Sequence, residues 1–302
     1  MSKEQWVAKS KEIRIPNQMF IDGEFVSAVS GATFDAISPI DQRVLAKVAA
    51  GDSHDVDKAV AAAKRTFENG VWRDLNPRDK KAIMLKWADL IREHYEEIAL
   101  LETLEVGKPI GDTSGYDALA VARVIQWYGE AIDKRYDEIA PAPTNSLAMI
   151  TREPLGVIGA IVPWNYPIVI ASWKIGPALA MGNSMVLKPS EESSLAILRI
   201  AQLGIEAGLP KGVFNVVTGL GDQAGQALAR HMDVAKIAFT GSGPVGKKML
   251  QYAAESNLKQ VALELGGKSP QVVLDDVVDL DKAASTIAWG IYYNSGQTCI
   301  AV

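Results

Sequence analysis

The residue pattern predicts an α/β protein built on a doubly wound parallel sheet, and three observations carry that prediction. Five short, near-continuous apolar runs lie at 155–162, 184–187, 213–217, 235–239 and 260–265; such runs mark strands buried on both faces. Helical segments separate them at about 168–181, 193–207, 222–231 and 244–255, the rhythm of right-handed crossovers between parallel strands. The strands end in polar or glycine-containing turns: Pro163-Trp164-Asn165, Lys188-Pro189-Ser190-Glu191, Thr218-Gly219-Leu220-Gly221 and Thr240-Gly241-Ser242-Gly243. Ligands of such sheets bind beyond the carboxyl ends of the strands. A functional site is therefore expected along that one edge.

The chain before this run reads differently. Residues 1 to about 50 suggest short strands and turns, with Phe20 to Val26 forming a hairpin on Asp22-Gly23. From Ser53 the apolar period turns helical, through Val56, Ala59, Val60, Ala63 and Phe67. Asn76-Pro77 opens a second helix that is expected to run to Gly107-Lys108-Pro109, and a third spans about Tyr116 to Ile132. Aromatic residues inside these helices need only core packing. A proline-flanked extended piece, Ser146 to Arg152, reads as a strand leaving the main body toward a partner subunit.

Composition narrows the function classes. A chain of 302 residues with 48% hydrophobic and 22% charged residues buries a large core in one domain or two. Its formal charge of −5 provides no basic field for nucleic acid. One cysteine excludes an internal disulfide, and His54, His94 and His231 are too scattered to predict a metal site. The start at Met1 lacks the apolar stretch of a signal peptide, and no run is long enough to span a membrane. A cytoplasmic location is the expectation.

The only cysteine, Cys299, follows Gly296-Gln297, and Glu264 lies 35 positions earlier (299 − 264) beside Gly266-Gly267. A thiol needs a base or a positive local field to act as a nucleophile at neutral pH, although most lone cysteines are small core residues. Gly241-Ser242-Gly243-Pro244-Val245-Gly246 has the spacing of a dinucleotide fingerprint. It sits after the fourth strand of the run rather than the first, and under the usual reading Glu264 would bind ribose. Lys188 and Glu191 offer a second ribose site that leaves Glu264 free as a base; the plainer alternative is a solvated helix start. Asn165 supplies an amide that suits an oxyanion or simply bonds its own turn.

Together these motifs resemble the NAD(P)-dependent aldehyde dehydrogenase superfamily in order and spacing, over nearly the whole chain. Leu101-Glu102-Thr103-Leu104, Trp127-Tyr128 and Asn215-Val216-Val217-Thr218-Gly219 are most similar to the γ-glutamyl-γ-aminobutyraldehyde dehydrogenase type. The resemblance implies a Rossmann-like NAD-binding domain at 1–137 and 155–266, a bridging or oligomerisation segment at 138–154, and the start of a second α/β catalytic domain at 267–302. It implies that Cys299 attacks the aldehyde carbon, that Asn165 and the Cys299 N–H hold the oxyanion of the thiohemiacetal, and that hydride passes to nicotinamide. Glu264 would then activate water against the thioester, with Lys174 assisting proton movement. Trp164, Lys188, Glu191, Gly221, Phe239, Thr240, Gly241, Ser242, Gly246 and Leu265 would line the cofactor.

Glu191 favours NAD over NADP, since a carboxylate repels a 2′-phosphate. The implied partners are an aldehyde and further copies of the chain in a homodimer or homotetramer. For an aminoaldehyde, Asp117 offers a receiver of the ammonium; the plainer alternative is a solvated helix carboxylate. Tyr166 stands where Phe is common. The family pattern continues past Val302 into a second cofactor-contacting motif, and Val302 replaces a usual small residue, which suggests a frameshift or a cut. Little dehydrogenase activity and poor solubility are expected of this chain alone. The rival readings are a non-catalytic NAD-binding fragment and a Cys299-dependent esterase or acyltransferase.

Overall fold

The computed structural model describes residues 1–301, and the expectation attached to Val302 lies outside them. The N-terminus departs first from the sequence reading, because Lys3–Glu12 forms helix α1. Ser2 and Gln5 close a reciprocal capping box on its first turn, satisfying N–H groups that a helix start leaves open. None of its residues is buried, so no apolar stripe announced it. The hairpin forms as expected from β1 (Met19–Ile21) and β2 (Glu24–Val26). Asp22 and Gly23 both adopt positive φ there, 55° and 77°, as a primed two-residue turn requires. β3 (Thr33–Ile37) and β4 (Val44–Ala49) form a separate antiparallel ribbon.

α2 (Ser53–Glu68) is capped one residue earlier than the pattern suggests, by Asp52 in a capping box with Asp55. α3 (Pro77–Glu93) starts on Asn76, whose side chain accepts the Arg78 N–H. The helix expected to continue to Gly107 instead breaks at His94, and α4 (Tyr95–Val106) follows, closed by left-handed Gly107 at φ 75°. The apolar spacing runs through this break, which is why it reads as one helix. A short turn α5 (Ile110–Asp112) leads into a wide π-helical turn over Thr113–Asp117 and then α6 (Ala118–Ala131). β5 (Glu138–Ala140) pairs with β6 (Ala148–Ile150). Only the second of these strands was legible.

From here the expected alternation holds: β7 (Val157–Ile161), α7 (Pro167–Ala180), β8 (Ser184–Lys188), α8 (Leu195–Ala207), β9 (Phe214–Val216). α9 (Gln226–Arg230) follows a π-helical turn, then β10 (Val234–Gly241), α10 (Gly243–Ala254), β11 (Gln260–Leu265) and finally α11 (Leu280–Tyr292). The sheet order is β11-β10-β7-β8-β9-β1-β2. β7 to β11 are parallel, and β1 joins β9 antiparallel. The chain winds outward from β7 to β9, then returns to place β10 on the other side of β7. That reversal opens a crevice between the carboxyl ends of β7 and β10.

Two cores cover the two faces. Ile158, Ala160, Met185, Leu187, Phe214 and Val216 pack with residues of α3, α6, α7 and α8. Val157, Ile161 and Val186 pack with residues of α2, α9 and α10. The alternation along β7 gives each helical layer every second side chain. Trp87, fully buried, donates its indole N–H to the Ile200 carbonyl at 3.0 Å and lies 5.9 Å from the Phe214 ring. No helix among the described residues is long and apolar enough to cross a membrane.

The start of α8 has no side-chain cap of its own. Glu105 of α4 supplies it, accepting the N–H groups of Leu195 at 2.6 Å and Ala196 at 3.1 Å. Burial pushes the Glu105 carboxyl from 4.5 up to about 8, although those backbone donors oppose the shift. The neutral acid therefore stabilises the fold fully below about 4.5, and that contribution is lost as pH rises toward about 8. Glu105→Gln cannot ionise. It is expected to flatten the pH dependence of the melting temperature between pH 5 and 8, removing up to about 1.4 kcal/mol per pH unit. Thermal melts of both chains across that range check it.

Candidate active site

At the end of β7 the chain turns through Trp164, which is exposed, and Asn165 into α7, whose first residue Pro167 has its φ already helical. The Asn165 amide Nδ2 donates to the Gln297 carbonyl at 2.8 Å. In return, buried Asn294 donates its Nδ2 to the Asn165 carbonyl at 2.9 Å. Two asparagines thus clasp the β7 turn to the segment that carries Cys299. That segment is coiled tightly, with Asn294, Ser295 and Gly296 all at positive φ (51°, 56° and 75°). Left-handed geometry costs about 1 kcal/mol or more at each non-glycine residue, and the clasp holds it in place.

Cys299 lines a cavity of about 590 Å³. Its walls carry five aromatic residues, Tyr116, Tyr166, Trp173, Trp289 and Tyr293, with Asp112 as the carboxylate. Trp289 and Tyr293 stack at 5.0 Å, and Tyr293 and Tyr166 at 6.4 Å. The Tyr166 hydroxyl lies 3.1 Å from Thr298 Oγ1, so the Tyr at this position anchors the residue before Cys299. Tyr293 has its phenol pushed up by burial and by neighbouring Asp112 and Asp117, and it is a neutral donor at ordinary pH.

The second cluster lies along the neighbouring strand ends. Lys188, buried at the end of β8, pairs with Glu191 at 2.9 Å. Burial pulls the Lys188 ammonium down while Glu191 opposes it. Burial alone raises the Glu191 carboxyl, but Lys188 and the Gly221 N–H outweigh it and hold the carboxyl below its usual range. At the end of β10, Ser242 caps α10 with its side chain and Gly243 begins the helix. A Cβ at Gly221 or Gly243 would meet nothing within 4 Å, so the backbone there faces open space. At Gly246 a Cβ would come within 2.7 Å of the Leu265 side chain, and at Gly241 within 2.6 Å of the Phe239 ring. Gly246 thus permits close packing of α10 on β11, and Gly241 leaves room for the Phe239 ring of its own strand. Thr240, opposite Glu264 across the β10–β11 pair, keeps its hydroxyl buried without a partner.

Glu264 is exposed on β11. Lys174 is pulled to about 8 by burial, with the Glu264 charge opposing. No hydrogen bond joins Glu264 to Cys299. The two segments do meet three residues later, where a Cβ on Gly267 would lie 3.1 Å from the Cys299 carbonyl. The structure thus brings together Asn165 with the Cys299 turn, Lys188 with Glu191 and Gly221, and Lys174 with Glu264.

Asp117 requires correction, both as a receiver of a ligand ammonium and as a solvated helix carboxylate. It is fully buried and bonds Lys108 Nζ at 2.5 Å. Asp112, five residues earlier, is the carboxylate that reaches the cavity. Sequence reading also missed Asn294, Lys108 and Tyr293. The local signal for Asn294 is the Asn-Ser-Gly run, which favours left-handed backbone; burial of Lys108 left none.

A doubly wound sheet with a glycine turn at its switch point and a thiol on the same edge defines an α/β protein of the dinucleotide-fold class. The aldehyde dehydrogenase family model matches residues 25–302, and the chain belongs to that family. It is 53% identical over 296 residues to the NADP/NAD-dependent aldehyde dehydrogenase PuuC of Escherichia coli (strain K12), covering 98% of this chain and 60% of PuuC. The solved γ-glutamyl-γ-aminobutyraldehyde dehydrogenase of Burkholderia cenocepacia J2315 superposes with a TM-score of 0.98 at 56% identity, covering 100% of this chain and 61% of that one. An indole-3-acetaldehyde dehydrogenase solved with NAD+ gives a TM-score of 0.99 at 51% identity, covering 100% of this chain and 61% of that one. The chain spans about three fifths of the length of the relatives it matches.

The clasp makes a specific expectation. Asn294→Asp keeps the side-chain size but replaces the donor with acceptors facing the Asn165 and Gln297 carbonyls. It is expected to lower unfolding free energy by about 2 kcal/mol. Urea denaturation against the parent chain measures it.

Proposed function

We propose that this chain carries the cofactor-binding and nucleophile-bearing part of an NAD-dependent aldehyde dehydrogenase that oxidises an aminoaldehyde to its acid. The observation that carries this is Cys299 at the wall of an aromatic cavity, on the strand-end edge that also holds the Lys188–Glu191 pair. In the domain division this implies, 1–137 and 155–266 bind cofactor, 138–154 bridges to another copy, and 267–302 begins the catalytic domain.

The residues fit the dinucleotide. The open backbone at Gly221 and Gly243 leaves room that a Cβ would fill, and the start of α10 presents free N–H groups to phosphate. Lys188 and Glu191 would hold the adenine ribose. Trp164, Phe239, Thr240, Gly241, Ser242, Gly246 and Leu265 would line or support the remainder. When bound, NAD supplies the hydride acceptor. An ionised Glu191 disfavours a 2′-phosphate, so NAD is preferred over NADP.

The chain's own residues would perform the rest. Cys299, its thiol proton given up to solvent, forms as a thiolate a carbon–sulfur bond to the aldehyde carbon. Hydrolysis later breaks that bond and returns the thiolate. As the bond forms, the carbonyl π electrons move to oxygen. Asn165, already clasped to the Cys299 turn, would donate to that oxyanion with its remaining N–H. After the carbon loses hydride, the thioester is open to water. Glu264 would take the water's proton as general base, and Lys174, with its ammonium pulled to about 8, would relay it. Asp112 and the surrounding rings would receive a substrate ammonium, by charge and by cation–π attraction. The exposed apolar residues Ile139 and Met149 of the β5–β6 ribbon suit docking against a second copy, in a homodimer or homotetramer. A cytoplasmic location is proposed.

Isothermal titration and aldehyde-dependent NADH formation test this. The chain alone is expected to bind NAD with little turnover. Glu191→Gln is expected to shift the NAD-to-NADP affinity ratio about tenfold toward NADP, and an unchanged ratio removes Glu191 from the ribose site. In the whole protein, Cys299→Ser is expected to lose about a thousandfold or more in kcat; full activity without the thiol would sink the mechanism. Asp112→Asn is expected to raise KM for an aminoaldehyde about tenfold and to leave KM for a neutral aldehyde of equal length alone. Equal effects on both substrates would refute the ammonium site.

A further inference from the structure

We propose that Lys108 is a positioning residue of the thiol site, acting through the ring of Tyr166 to hold the Thr298–Cys299 segment closed. The proposal rests on Cys299 being the nucleophile. Lys108 lies in the loop after α4, just before the stretch that gives Asp112 and Tyr116 to the cavity wall, but does not itself line the cavity. Its ammonium is fully buried, 3.8 Å from the centre of the Tyr166 ring and 5.5 Å from that of Tyr293. Both rings also line the cavity.

A buried ammonium needs compensation, and Asp117 supplies it at 2.5 Å. The groups around the pair come from two elements. Glu102 of α4 has both carboxyl oxygens buried without a hydrogen-bond partner, and burial with the nearby Asp117 charge pushes its carboxyl well above the usual range. Glu105 of α4 lies near Glu102, and Asp112 of the following turn lies near Asp117. Burial raises the Asp117 carboxyl while Lys108 opposes the shift, and Lys108 and Asp117 are sealed in, bonded to each other.

A desolvated ammonium on a ring face is a stronger contact than the same pair in water. It holds Tyr166 against displacement, and the Tyr166 hydroxyl in turn bonds Thr298 Oγ1 at 3.1 Å. The path from Asp117 through Lys108, Tyr166 and Thr298 ends at the backbone of Cys299. A Phe at 166 keeps the first part of this path and loses the last. That gives the tyrosine here a role beyond wall shape.

Iodoacetamide alkylation tests this without aldehyde or cofactor, because Cys299 is the only thiol in the chain. A failure of Lys108 positioning is therefore distinguishable from a failure of the catalytic assignment of Cys299. Lys108→Met/Asp117→Asn removes both charges together, so no uncompensated ion is left buried. The plateau alkylation rate, measured well below melting, is expected to rise about fivefold, the factor equivalent to ~1 kcal/mol of lost closure. Tyr166→Leu, which leaves the Lys108–Asp117 pair intact, is expected to rise similarly, and combining all three changes is expected to add nothing further. A merely structural role would leave the plateau rate unmoved. If the charge-free variant does not fold, Tyr166→Phe decides: it keeps the wall and the Lys108 contact, loses only the Thr298 bond, and is expected to raise the plateau rate. Plateau rates equal to the parent chain's overturn the proposal. So does a shifted midpoint of the pH–rate profile at constant plateau, which would mean that the cation acts on thiol charge and not on position.

Discussion

Everything in this molecule is indexed to β7, the strand on which the winding reverses. It is buried at all five positions and hydrogen-bonds to β8 on one side and β10 on the other. Gly159 at its centre has no room for a side chain: a Cβ there would sit 2.5 Å from Ile237 and 3.3 Å from Leu228. The close approach of β10 and α9 depends on that. With the two registers set, the strands end together, and Asn165, Lys188, Thr240 and Glu264 come to one edge although 99 positions separate the first from the last (264 − 165). The chemistry of the edge follows from the packing of the centre.

The parallel half of the fold was legible because its signal is local and repeated. Each of the five strands is an apolar run, and each crossover helix fills the gap between runs. The cap at Asn76 and the Asp22-Gly23 turn were equally readable, since one side chain or one positive φ decides them. The failures share a cause. α1 has no buried face, β5 is three residues long, and His94 interrupts a pattern whose apolar spacing continues. Propensity and periodicity are blind to elements held by single tertiary contacts.

The site divides the same way. Residues that sit in a short motif at a strand end, such as Glu191 or Ser242, were found by spacing and resemblance. Lys108 was read only as part of a helix end and Asp117 as an ammonium receiver or a solvated carboxylate, because a charged residue is usually solvated. Only the packed structure reveals that the two meet inside the protein. The cavity wall is also a long-range product, made of Tyr116, Tyr166 and Tyr293 from three separate segments. The aromatic character was countable in advance, but its convergence was not.

The π-helical turn at Thr113–Asp117 sets the rotational phase of α6. A wide turn carries one residue more than the ordinary helix needs, and each residue rotates the chain by about 100°. The surplus residue decides which side of the helix Asp117 occupies, and therefore whether the carboxylate faces Lys108 or some other neighbour. A one-residue deletion here would restore a regular helix and look harmless on a helical wheel. It would also turn the paired carboxyl of Asp117 away from an ammonium buried behind the Cys299 cavity, so this stretch should tolerate substitutions far more readily than changes of length.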